Sequence, residues 1–209
     1  MVNEAERVRG LYDGLADRYD SLIRIPERLL FGGGREWACS RARGEVLEVA
    51  VGTGRNFAYY PEGAHLTGVE LSPAMLEIAH KRAAELGVEV DLRVGDAQCL
   101  PFPNESFDTV VFTLALCTIP NERKALCEAH RVLKPGGRLL LLEHVRSPAL
   151  PVRAAQRLLN PLTVRFQADH LLRDPLDHLG GTGFELERLE RSKWDIVERV
   201  SARKKGNHG

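Results

Sequence analysis

From Glu45 to Val145 the chain alternates short apolar runs with helix-patterned segments, and this rhythm restricts the fold more than any other feature. Glu45–Ala50 (EVLEVA), His65–Glu70 (HLTGVE), Val88–Val94, Asp108–Phe112 (DTVVF) and Arg138–Val145 (RLLLLEHV) read as strands. Between the second and third, Ser72 and Pro73 supply an N-cap and a first helical residue. Met75, Leu76, Ile78 and Ala79 line one side of that helix, and Gly87 ends it. Residues 121–133 repeat apolar positions at Ala125, Leu126, Ala129, Val132 and Leu133, then stop at Lys134-Pro135-Gly136-Gly137. Strands separated by helices require right-handed crossovers, which build a parallel sheet covered by helices on both faces. The almost unbroken apolar character of DTVVF suits a strand buried on both sides. Two later runs, near 184–189 and 194–202, have no clear helix between them and are expected to pair antiparallel at the sheet's edge.

Flanking segments complete the expectation. Glu4 to about Arg24 has helical spacing in Val8, Leu11, Leu15, Tyr19 and Leu22, with Pro26 as its breaker. A second helix is expected over 27–41, interrupted by Gly32, Gly33 and Gly34. The whole reads as one domain: N-terminal helices (1–44), a core (45–145), a variable substrate or lid segment (146–182) and C-terminal strands (183–209). The fold class is α/β, a doubly wound, mostly parallel, Rossmann-like sheet of seven strands. A length of 209 residues, 44% hydrophobic and 28% charged, suits such a domain.

Charge and cysteine content exclude several functions. With 29 Lys+Arg against 29 Asp+Glu there is no cationic excess for phosphate, so nucleic acid is not the expected partner. The balance is uneven, however: residues 146–209 hold 12 Lys/Arg against 8 acids, which leaves the first 145 with 17 against 21. Four cysteines, Cys39, Cys99, Cys117 and Cys127, form neither a disulfide framework nor a CxxC metal pair. No metal site is expected. The opening MVNEAERVRG has no apolar signal core, and no apolar run is long enough to cross a bilayer, so a cytoplasmic location is expected.

In sheets of this kind a ligand sits beyond the carboxyl ends of the strands, at the topological switch point. The first strand ends in Ala50-Val51-Gly52-Thr53-Gly54, whose two glycines allow a tight turn and close approach of backbone amides. Glu70, at the tip of the second strand, suits two ribose hydroxyls. Gly95-Asp96-Ala97 follows the third strand, where Asp96 can accept from an adenine amino group. Together these bind an adenosine. A dinucleotide fingerprint would place a third glycine where this chain has Phe57, so an adenosine without pyrophosphate is favoured over NAD(P). S-adenosylmethionine fits, since its cationic sulfonium tolerates neighbouring carboxylates.

From Val46 to Val145 the sequence resembles class I S-adenosylmethionine-dependent methyltransferases of the ubiquinone/menaquinone-biosynthesis type. Glu48–Gly54 resembles the family's first motif, Glu70 its second-strand acid, Gly95–Phe102 its third motif, and Arg131–Leu139 its helix-turn-strand before the fifth strand. Ala50 and Val51 depart from the usual Gly and Cys. A narrower similarity, in Gly54–Pro61, Thr113–Cys117, Glu143–Val145 and Gln156–Pro161, is to methyltransferase-like proteins that include membrane-associated thiol methyltransferases. The resemblance implies a small, apolar or lipid-like acceptor carrying a thiol, amine, hydroxyl or ring carbon. A non-catalytic adenosine-binding sensor or scaffold and an NAD(P) oxidoreductase stand as alternatives.

On this reading Glu48, Ala50, Gly52, Thr53, Gly54 and Asn56 form the loop that holds the methionine end. Glu70 takes the ribose, Leu71 and Met75 pack on the adenine, and Asp96, Ala97 and Gln98 border it. Thr113 and Leu114 lead toward the methyl group. His144, Glu143 and Cys117 are the catalytic candidates, against buried structural roles for each, with Asp169-His170 able to do the same work. Tyr12 and Tyr19 either close over the cofactor or pack in the core. Leu150–Phe166 carries three arginines and no acid, and serves either as a pocket lid or as a peripheral membrane contact.

Overall fold

A computed structural model describes residues 3–206. The centre is a seven-stranded sheet: β1 (Glu45–Val49), β2 (His65–Glu70), β3 (Val90–Val94), β4 (Phe107–Thr113), β5 (Leu133–His144), β6 (Phe184–Ser192) and β7 (Val197–Lys204). Its order is β3-β2-β1-β4-β5-β7-β6. The first five strands are parallel, while β7 runs antiparallel to both β5 and β6. The antiparallel end therefore inserts β7 between β5 and the edge strand β6. β1 and β4 lie side by side where the winding reverses, so their carboxyl ends open the crevice of a doubly wound sheet.

The helices are α1 (Glu4–Leu30), α2 (Gly34–Cys39), α3 (Pro73–Leu86), α4 (Glu122–Val132), α5 (Leu150–Gln167) and α6 (Leu176–Leu179). α3 has the boundaries its sequence predicts. Ser72 Oγ accepts from Met75 N, Pro73 stands at the start, and Gly87 closes the end at φ 66°. α1 corrects the expected break at Pro26, because the proline sits inside a continuous helix of 27 residues. One hydrogen bond is lost there, on a stretch whose neighbours Leu22, Ile25 and Leu29 are exposed, so solvent satisfies the freed carbonyl. The break comes later, at Gly33 with φ 73°, which leaves α2 only six residues.

Two apolar clusters cover the sheet. One packs α4 and α6 against Leu47, Val110, Phe112, Leu139 and Leu141. The other packs α2 against Val46, Val111, Leu140 and Leu142. Alternate residues of one strand thus serve opposite faces, as period two requires. Beyond the glycine turn, Phe57–Tyr59 forms a single 3-10 turn whose Phe57 packs with Leu76, Ala79 and Ala83 of α3. Among the described residues no helix is long and apolar enough to cross a membrane.

Candidate functional site

The carboxyl ends of β1, β2, β3 and β4 and α1 between Val8 and Tyr19 border a cleft that opens to solvent. The loop after β1 makes its inner wall. Ala50, Gly52 and Gly54 all have positive φ (58°, 56° and 77°), which winds the chain back on itself in five residues. A Cβ on Gly52 would meet open space, so the loop leaves room for a ligand at that point. A Cβ on Gly54 would run into the Phe57 ring. That ring stands where a dinucleotide site would have its third glycine, and it braces the loop from below.

Glu70 is buried at the tip of β2. Its two oxygens accept from Gly52 N and Ser72 N, both at 2.9 Å, which ties the glycine loop to the start of α3. Burial raises its pKa, against the three backbone amides that lower it. The outer lone pairs of the same carboxylate remain available to hydroxyl donors. Asp96 lies across the cleft, with Oδ1 accepting from Gln98 N at 2.8 Å and Gln98 Nε2 spanning both its oxygens. Leu71, Met75, Val69 and Ala97 give the same end apolar walls. One carboxylate placed for a diol, a second across an apolar slot and a glycine loop left open suit the adenosine and methionine parts of S-adenosylmethionine.

The residues singled out from sequence divide into two groups. Ala50, Gly52, Thr53, Glu70, Leu71, Met75, Asp96, Ala97, Thr113 and Leu114 line the cleft. Glu48, Gly54, Asn56, Gln98, Cys117, Glu143 and His144 stand behind its walls. Glu48 is buried and accepts from Asn56 Nδ2 on one oxygen and the Tyr60 hydroxyl on the other, each at 2.8 Å. Burial outweighs those bonds and pushes its pKa to about 7. Asn56 in turn donates to Thr113 Oγ1, so hydrogen bonds tie Glu48 to a group that lines the cleft. Gln98 braces Asp96 and accepts from Asn121 N at the cap of α4. Glu143 turns inward, where one oxygen accepts from Ala115 N and Leu116 N and burial raises its pKa to about 7.

His144, Asp169 and Cys117 meet beside the inner end. His144 Nε2 lies 2.8 Å from Asp169 Oδ1, and one ligand atom from each of the three lies within 4.8 Å of the others. Burial opposes charge on His144, but Asp169 and then Glu143 outweigh it, so its pKa lies above the usual histidine value. Its Nδ1 is buried without a hydrogen-bond partner. Burial pushes the Cys117 thiol well up, as expected of a structural cysteine. Tyr12 connects this group with the cleft. It lines the wall, and after burial and Tyr19 the charges of Cys117 and Asp169 raise its pKa further.

α1 is the larger surprise. Tyr12 and Tyr19 line the cleft with Val8 and Arg9, resolving that choice toward closure over the cleft. The acids Asp13, Asp20 and Glu27 recur every seven residues along the helix, two turns apart. Asp13 accepts from Ser72 Oγ and Ala74 N at the head of α3. Asp20 accepts from Thr53 Oγ1 at 2.7 Å and pairs with Arg82 and Arg55. Glu27 takes a two-point grip on Arg35, at 2.6 and 3.2 Å, and also holds Arg55. Arg35, buried and unremarked in the sequence, carries the linkage inward to Asn56 Oδ1 and Thr113 Oγ1. The seven-residue recurrence of acids was the available signal for this strap.

Known proteins match this arrangement. A methyltransferase domain family matches residues 47–141. The demethylmenaquinone methyltransferase of Thermus thermophilus is 36% identical over 148 residues, covering 66% of each chain. The mitochondrial methyltransferase OMS1 of Saccharomyces cerevisiae is 31% identical across 99% of this chain and 48% of its own length. The chain thus spans roughly half to two thirds of these curated relatives. In fold it is similar to a Thermotoga maritima SAM-dependent methyltransferase, at TM-score 0.72 and 23% identity over 94% of this chain and 99% of that one. Motif order and these relatives agree: the chain is a class I S-adenosylmethionine-dependent methyltransferase, similar among them to those of the ubiquinone/menaquinone type.

Proposed function

We propose that this chain methylates a small, apolar or lipid-like acceptor, of the kind represented by the quinone ring named for its Thermus relative. The observation that carries the reading is the mixed lining of one cleft. Glu70, Asp96 and the glycine loop offer it polar groups, whereas Leu114, Ala115, Ile119 and the Tyr12 ring give it apolar surface. S-adenosylmethionine supplies an electrophilic methyl group, so the protein's part is to bind, orient and exclude water. Glu70 holds the ribose, and Asp96 the adenine amino group. Thr113, fixed by Asn56 and Arg35, sets the floor over which acceptor and methyl meet. Where the acceptor atom carries a proton, the proposed base is His144, which Asp169 orients through Nε2 from behind the wall that Tyr12 lines. When bound, the cofactor would give its methyl group to the acceptor atom in exchange for any proton that atom carries.

Methyl-labelled cofactor, tested against reduced quinone rings, thiols and lipid amines, decides the matter. Label transfer to an apolar ring or thiol is the expected result. Tight binding of S-adenosylhomocysteine with no acceptor labelled would overturn catalysis in favour of a binding module. Activity should rise with pH as the raised His144 pKa is passed, because the base must be neutral. In His144→Gln that acid limb should vanish while S-adenosylhomocysteine affinity is kept; an unchanged profile removes His144 from the mechanism. Glu70→Ala should weaken the affinity itself, and equal binding would misplace the ribose.

A further inference from the structure

α5 is built inside out. Its inward positions are polar and bonded to main chain. Gln156 accepts from Ser147 N and donates to the carbonyls of Val145 and Leu171, while Asn160 accepts from Leu171 N. Gln156 is the buried residue of the helix. Its outward positions are apolar: Leu158 is 78% exposed, Phe166 60%, Leu162 54% and Leu159 50%. At 100° per residue these four lie within an arc of about 100°. A globular helix ordinarily presents the opposite arrangement, so this face is made for something other than water.

Charge identifies the occupant. No acid occurs between Ser147 and Ala168, and of the two exposed arginines Arg165 lies beside the apolar arc and Arg157 a further 80° round the helix. A second copy docked symmetrically on this face would bring those arginines against their own counterparts, with no acid on the face to pair them. An anionic lipid surface complements both features: acyl chains take the leucines and headgroups take the guanidinium groups. We propose that α5 docks this chain on the surface of an anionic bilayer, lying in the interface without crossing it. The helix ends at Gln167, whose carbonyl accepts from the Tyr12 hydroxyl, two residues before Asp169. Docking therefore sets the Tyr12 wall of the cleft beside the membrane. The proposal goes beyond the acceptor reading and is measured without turnover.

Co-sedimentation of the full chain with vesicles tests it. Phosphatidylcholine containing about a third phosphatidylglycerol should bind at least about tenfold tighter than phosphatidylcholine alone. Leu158→Gln combined with Phe166→Gln should lose about tenfold or more of that binding. Arg157→Gln with Arg165→Gln should remove the preference for anionic vesicles and the dependence on salt. Unchanged circular dichroism and thermal midpoint would show that the variants fold, which the exposure of all four residues favours. Equal binding to both vesicle types overturns the proposal, as does equal binding by parent and Leu158→Gln/Phe166→Gln. Should those substitutions instead turn a dimer into a monomer in sedimentation velocity with vesicle binding intact, the face belongs to a second copy.

Discussion

α1 and α5 are both long helices appended to the same sheet, yet they are held by opposite means. α1 grips the body with ionised side chains: Asp13, Asp20 and Glu27 reach three separate parts of the cleft rim. α5 is anchored by neutral amide and hydroxyl groups, chiefly Gln156, Asn160 and Thr163, bonded to loop backbone. The difference teaches that hydrophobic patterning alone does not say which side of a helix faces in. The charge and hydrogen-bonding capacity of the remaining positions decide it. It also separates how the two helices respond to salt and pH, since ionic contacts weaken under both and amide contacts under neither.

Breaking the ionic side at its most buried point should have the largest effect. Glu27→Ala leaves the Arg35 guanidinium inside with only Asn56 and Thr113, at a cost of about 3 kcal/mol in denaturant unfolding. An unchanged midpoint would mean that Arg35 finds another counterion. On the amide side, Gln156→Leu strands Ser147 N and two carbonyls for a cost of about 2 kcal/mol. That loss should not vary with salt, and a salt-dependent loss would erase the contrast. Asp20→Asn should cost about 1 kcal/mol, because the contacts with Arg82 and Arg55 are partly solvated. Burial raises the Asp20 pKa, but Thr53 and Arg82 outweigh it, so the folded value lies below the ordinary one. The stability Asp20 gives is thus present above the carboxylate range and lost as pH falls through the folded pKa. Hydrogen exchange should show α1 loosening in acid before α5, and the reverse order would refute the assignment. Leu162→Ser, on the outward face of α5, should change stability by less than about 0.5 kcal/mol in the absence of lipid.

Much of this was legible beforehand because it is local. Ser72-Pro73 and Gly87 fix α3 through their own backbone preferences, and the loop 50–54 is identifiable since few sequences tolerate three positive φ values in five residues. Glu70 and Asp96 were readable as cleft residues because one ends its strand and the other follows its strand by two residues. What escaped notice depends on distant partners. Glu48 reads as a ligand from its motif, but Tyr60 and Asn56 fold over it. Arg35 carries no local signal, since its meaning comes from Glu27 on one helix and Thr113 on a strand. Pro26 misled for the opposite reason: its local penalty is small enough for the tertiary contacts of α1 to override.

The acid stripe on α1 has a kinetic consequence. The contacts from Asp13 to Glu27 span 14 residues, or about 21 Å of helix, and tie α1 to the rim of the cleft through ionised groups. Where α1 must loosen for spent cofactor to leave, those ionic contacts are what opens. Product escape should quicken with ionic strength even where affinity changes little, making release of S-adenosylhomocysteine a salt-tuned clock for the enzyme.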